Sequence, residues 1–174
     1  MKNNMVVLLL ILTSIHQIYA QKQFMDEQEE ENGFRIIGII GHTLVNNKGL
    51  NNVMVPSWGL DVEYWFNEQW GIGFHNDIEI ETFIIKNSKN EEVERVNPFV
   101  FTLDMLYHFG NGFVLTLGPG VEIEKEESYY LGRVGVEYEK DINKSFYILP
   151  NIFLDQRFDG YNTWNVGLGI GMRL

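Results

Sequence analysis

His75, Asp77, Glu79 and Glu81 alternate with apolar residues along one stretch, so in an extended chain all four project from the same side. One imidazole followed by carboxylates at two-residue spacing can move a proton or ligate a divalent metal ion. The flanking apolar residues keep even numbers through a three-residue break at 67–69, which makes 57–81 a hairpin with Phe66 facing Trp70. That register sets Asp61 opposite His75. The pair is a general base with its orienting carboxylate, or with Glu79 the start of a metal site, or part of an internal ion-pair network completed by Arg35, Arg133, Arg157 and Arg173.

The network is the expected outcome, with no catalytic residue, no metal and no cofactor. Ser57, Ser88, Ser128 and Ser145 fall near strand ends or loops, and none forms an elbow or dyad with a histidine. Gly167, Gly169 and Gly171 are followed by the chain end, not by the helix that a nucleotide fingerprint needs.

The elements that position these groups are strands. Trp58, Leu60, Val62, Tyr64 and Phe66 alternate with Gly59, Asp61, Glu63 and Trp65, and Trp70, Ile72, Phe74, Ile78 and Ile80 with Gly71, Gly73 and the acids. The motif recurs on odd numbers from Phe99 to Phe109, with Thr102, Asp104 and His108 on the other face. It resumes after Gly110-Asn111-Gly112 from Phe113, with Glu122 and Glu124 inside. A third hairpin places Arg133, Glu137 and Glu139 opposite Val134, Val136 and Tyr138, turns at 141–143, and continues with Asp155 and Arg157 opposite Ile152 and Leu154. Pro150 in that strand requires a break in the ladder. Trp164 to Leu174 closes the chain. Phe34–Val45 is strand-like with isoleucine on both parities, so its facing is open, and Lys86–Asn97 reads as a polar loop.

Eight strands emerge. Their short turns are flanked by Phe66 with Trp70, Phe109 with Phe113, and Tyr138 with Phe146, an aromatic girdle at one end. The apolar parity carries more large side chains than an eight-stranded interior can hold. The other parity is rich in glycine and in charges of both signs. The apolar face therefore points outward, which lipid tolerates and water does not; a soluble lipocalin-like barrel is the alternative with the faces exchanged.

A formal charge of -11 excludes a nucleic-acid surface. Residues 1–20, with Lys2, an apolar run from Met5 to Ile15 and Ala20, form a signal peptide too short to span a bilayer as a helix. Residues 21–32 form an acidic, disordered stub, and 33–174 the barrel. The chain has no cysteine, so no disulfide, thiolate site or lipidated cysteine exists.

With its export signal, eight alternating strands, three tight turns and the terminal strand WNVGLGIGMRL, the chain resembles the small outer-membrane β-barrel proteins of the OmpA and OmpX type over residues 33–174. Leu174 stands where that family usually ends in an aromatic residue. The resemblance implies a monomeric, eight-stranded antiparallel up-and-down transmembrane barrel in a bacterial outer membrane. Its partners would be outer-membrane lipid, the barrel-assembly machinery and periplasmic chaperones. No single activity follows from such a fold, because these barrels include adhesins, anchors, pores and lipid-modifying enzymes. The inward excess of acids implies a plugged lumen, cation-selective if it conducts.

Overall fold

A computed structural model of the chain describes residues 32–46, 52–86, 89, 91–125, 127–158 and 160–174. The expected signal peptide, and the stub up to residue 31, lie outside the described residues, as do Ser88 and Glu126.

The strands are β1 (Gly33–Asn46), β2 (Val53–Trp65), β3 (Trp70–Glu79), β4 (Thr82–Lys86), β5 (Glu92–Val96), β6 (Phe99–Gly110), β7 (Phe113–Ile123), β8 (Tyr129–Tyr138), β9 (Lys140–Asp141), β10 (Phe146–Arg157) and β11 (Asn162–Arg173). Eight of them form one antiparallel ring in the order β1-β2-β3-β6-β7-β8-β10-β11, closed by pairing of β11 with β1. β9 extends the β8 edge along β10, and β4 with β5 makes a separate hairpin between β3 and β6.

Closure fixes the stagger of the ring. From Phe34 the paired residues are Tyr64, Ile72, Met105, Leu117, Val134, Leu154 and Trp164, returning to Leu44, ten residues further along β1. Every residue on that path is on the outer face. Trp58, Leu60, Leu103, Met105, Leu117, Val166, Leu168 and Ile170 are exposed, whereas their neighbours Asp61, Thr102, Asp104, Thr116 and Asn165 are buried inside. A ring with no edge satisfies its wall's backbone groups internally, the condition for crossing hydrocarbon with strands.

β1 is apolar on both faces. Ile37 and Ile39 point inward, where they pack with Tyr147 and Leu149 and lie over Gly169 of β11. Phe34 and Ile40 point outward.

Local chemistry sets the short turns. Asn67 Oδ1 accepts from the N–H groups of Gln69 and Trp70, and Asn143 Oδ1 from those of Ser145 and Phe146, each at 2.9 Å. Gly110, Asn111 and Gly112 all have positive φ. Pro150 lies where the β10 ladder passes from β8 to β9, and Pro119 in the gap between the Met105–Leu117 and Thr102–Gly120 pairs, so neither removes a ladder bond in use.

If the outer face meets hydrocarbon, Leu117→Arg, near the middle of β7, lowers unfolding free energy in lipid vesicles by about 2–4 kcal/mol. Denaturant titration in vesicles checks this, and a loss below about 0.5 kcal/mol would show a face in water.

Candidate functional site

The charged residues of the lumen form three groups along the barrel. At the turn end, Arg35 Nη1 donates to Glu139 Oε1 (2.6 Å). Arg173 reaches Glu139 (3.2 Å) and Asp141 (2.8 Å). The guanidiniums of Arg35 and Arg173 lie over the rings of Trp65 and Tyr147 at 4.4 and 4.6 Å.

Towards the loop end, Arg133 grips Asp155 with two parallel bonds of 2.7 and 2.8 Å and reaches across the lumen to Asp77 at 2.7 Å. Arg157 donates to Glu122 and to Thr163 Oγ1 (2.9 Å), with Glu79 at 3.7 Å. Glu122 is the hub here. It also accepts from Arg95 and from the hydroxyl of Tyr161 at 2.8 Å. Burial first, and the Glu122 charge against the opposing effect of Arg157, hold the Tyr161 hydroxyl protonated well above the usual tyrosine range, so it remains a donor.

Arg95 comes from β5, within the segment expected to be a polar loop. That expectation is corrected: Thr82–Lys86 and Glu92–Val96 pair as a hairpin. Phe83 and Ile85 pack with Val45, Val55, Tyr129 and Tyr161, and Val93 leans on the same cluster. The hairpin thus contributes to an apolar core with residues of β1, β2, β8 and the chain before β11. Arg95 is 0% exposed, stacks 4.9 Å from the Tyr129 ring, and bonds Glu124 and the Glu127 carbonyl as well as Glu122. Phe83 and Ile85, spaced by two, were the available signal. Five-residue strands around a polar tip gave too few alternations to outweigh the loop composition.

The middle group has a different balance. Four carboxylates, Asp61, Glu63, Asp104 and Glu137, share the region with His75, all buried. His75 Nε2 lies 3.5 Å from Glu63 Oε1 and Nδ1 lies 3.0 Å from Asp104 Oδ2. Among the described residues neither ring nitrogen reaches hydrogen-bond geometry, and neither carboxylate oxygen of Glu137 has a hydrogen-bond partner. Glu63, His75 and Glu137 each direct a ligand atom to one place, all within 4.8 Å of one another. Gly73, two residues before His75, leaves the space the imidazole occupies; a Cβ there would collide with the ring.

The Asp61–His75 contact expected from sequence requires correction. The β2–β3 register holds on both sides, with Gly59 opposite Asp77 and Val62 opposite Phe74, but the ladder opens between them. The Asn76 side chain bonds Leu60 N and O, and Asp61 Oδ1 accepts from Asn76 N at 2.9 Å. His75 turns instead to Glu63 and Asp104. Glu81 is a second correction. β3 leaves the wall after Glu79, so Glu81 is exposed and does not join the lumen. The other candidates, Arg35, Glu63, Asp77, Glu79, Asp104, Glu122, Glu124, Arg133, Glu137, Glu139, Asp155, Arg157 and Arg173, are inward and mostly buried.

At the turn end Phe66, Trp70, Phe109, Phe113 and Phe146 are exposed on the outer face, and Tyr138 is half-buried beside them. Phe109, Phe113 and Tyr138 form a continuous run with centroids 5.7 and 4.8 Å apart, and Trp70 packs on Tyr107 at 4.6 Å.

Among solved structures the chain is similar to several small outer-membrane barrels. The N-terminal β-barrel domain of Pseudomonas aeruginosa OprF aligns over 83% of this chain and 98% of its own at 14% identity, with a TM-score of 0.58. Neisserial surface protein A aligns over 84% and 100% at 8% identity and 0.61. Ail of Yersinia pestis, in complex with the heparin analogue sucrose octasulfate, aligns over 80% and 99% at 17% identity and 0.54. No protein-family model matches, and no curated protein matches in sequence. The fold is that of the eight-stranded antiparallel outer-membrane β-barrels.

Removing one member of a buried, hydrogen-bonded ion pair leaves the other charge uncompensated and typically costs about 3–5 kcal/mol. Arg133→Ala is expected to destabilise the barrel in that range. Arg133→Ala with Asp155→Ala should lose less than the sum of the two single variants, as a double-mutant cycle in detergent or vesicles would show; strict additivity would mean that the pair is not coupled.

Proposed function

We propose that the protein is an integral barrel of a bacterial outer membrane with a closed lumen, whose role is structural or ion-binding and not transport or catalysis. The turn end, with both ends of the ring and the aromatic girdle, faces the periplasm, and the β4–β5 hairpin faces outward. The protein is a monomer whose outer face is covered by lipid, inserted with the help of periplasmic chaperones and the barrel-assembly machinery.

One observation supports this reading: Arg95 of the hairpin is buried and held by Glu122 and Glu124, and Glu122 is also held by Arg157, so buried ion pairs are stacked at the loop end. Water and solutes would have to part several buried ion pairs to pass. The non-catalytic assignment is supported by Ser57, the buried one among the described serines, which is bonded by Asn165 Nδ2 at 3.4 Å and sits opposite Glu79, not beside a histidine. The polyanion bound by Ail has no evident counterpart, since Glu91, Glu92, Glu94 and Glu127 are exposed at the loop end of this barrel.

Planar-bilayer recording tests the closed lumen. The wild-type protein is expected to show no resolved openings, and Arg95→Ala with Glu122→Ala to show cation-selective flicker. Stable open-channel current from the wild type, or anion selectivity, would overturn the proposal.

A further inference from the structure

The middle of the lumen is where its positive charge runs short. The guanidinium hydrogen bonds described above go to other carboxylates, Arg35 to Glu139 and Arg133 to Asp77 and Asp155, so the ion-pair contacts within this group are those of His75 with Glu63 and Asp104. Glu137 is the decisive residue. It is 1% exposed, both carboxylate oxygens lack a hydrogen-bond partner among the described residues, and one of them converges with ligand atoms of Glu63 and His75. A carboxylate buried without partners costs several kcal/mol unless a cation or proton neutralises it.

We propose that Glu63, His75 and Glu137 form a binding site for a divalent transition-metal ion of the zinc or manganese class, a role that presupposes the closed lumen proposed above. The 3.5 Å between Glu63 Oε1 and His75 Nε2 is about the edge of a tetrahedron whose vertices lie ~2.1 Å from a central ion. The supporting shell is in place. Trp65 Nε1 donates to Glu63 Oε2 at 2.7 Å, which leaves Oε1 turned to the site. Asp104 Oδ2 stands 3.0 Å from Nδ1 of His75, a carboxylate whose charge favours the proton on Nδ1 and the lone pair on Nε2. Thr102 in turn donates to Asp104 Oδ2 at 2.6 Å.

The donor set selects the class of ion. One imidazole with two carboxylates suits zinc or manganese, whereas calcium takes six to eight oxygens and magnesium retains most of its water. Three protein ligands leave a fourth position for water. Bound there, the ion would join β2, β3 and β8 across the lumen, a staple in a chain that has no disulfide.

The test is metal content and stability of the full-length protein refolded into detergent with Zn2+ or Mn2+ and then cleared of loose metal by dialysis. About one ion per chain is expected, with a higher unfolding temperature than in a sample refolded with EDTA, and no such retention of Ca2+ or Mg2+. Glu137→Gln, which preserves shape, should weaken retention at least tenfold. Glu68→Gln, in the exposed β2–β3 turn, should leave it unchanged. Heat-modifiable mobility on gels verifies that each variant is folded. Wild-type protein that keeps no ion, or Glu137→Gln that keeps it as tightly as wild type, would overturn the site. The two proposals fail separately: a non-conducting barrel without metal loses the site alone, whereas wild-type conductance removes the closed lumen.

Discussion

The closed ladder, ending where β11 pairs with β1, is the constraint on which the rest of the structure depends. A ring of eight strands has no edge, so the wall's backbone groups are satisfied within the wall. With the backbone satisfied, the side-chain alternation decides everything else. A slip of one residue would exchange the two faces and turn Asp104, Arg133 and Glu137 outward. In β7 and β10 proline falls where ladder bonds are already missing, at Pro119 and Pro150.

Inside that ring, volume and charge have to be balanced together. An eight-stranded interior is just wide enough to be filled by side chains. Small residues on one strand make room for large ones on the next, Gly135 beneath the Phe153 ring and Gly171 beneath Tyr147, and within β3 Gly73 makes room for the His75 ring. The buried arginines do not make the fold stable in proportion to their number, because desolvation offsets most of the attraction between paired ions. They make alternative arrangements costly, since any shift that parts Arg133 from Asp77 and Asp155 strands three charges at once. Around His75 such internal neutralisation is incomplete, since both Glu137 carboxylate oxygens lack a hydrogen-bond partner among the described residues.

Parity made the ring legible from sequence. Two-residue alternation in 57–81, 99–124 and 130–157 located the hairpins, their turns and the face on which each charge lies. It failed where alternation and burial part company. β1 is apolar on both sides because its inward isoleucines line a dry seam beside β11. Extrapolating β3 past Glu79 placed Glu81 inside, although the chain leaves the wall there. Arg95 was invisible because its burial depends on a hairpin folding back over the mouth. The meeting of Glu63, His75 and Glu137 was equally out of reach: strand tilt and the ten-residue stagger bring β8 towards β2 and β3 across the lumen, and no neighbouring-strand register encodes that.

The central claim is that this barrel wears its apolar face outward in lipid, and the four tryptophans provide its most direct measurement. Trp58, Trp70 and Trp164 are 49%, 42% and 43% exposed on the outer wall, whereas Trp65 is 1% exposed within the lumen. In single-tryptophan variants reconstituted into bilayers, brominated phospholipid should quench the three outer residues and leave Trp65 bright. Quenching of the outer three by aqueous iodide, with no effect of brominated lipid, would contradict the account.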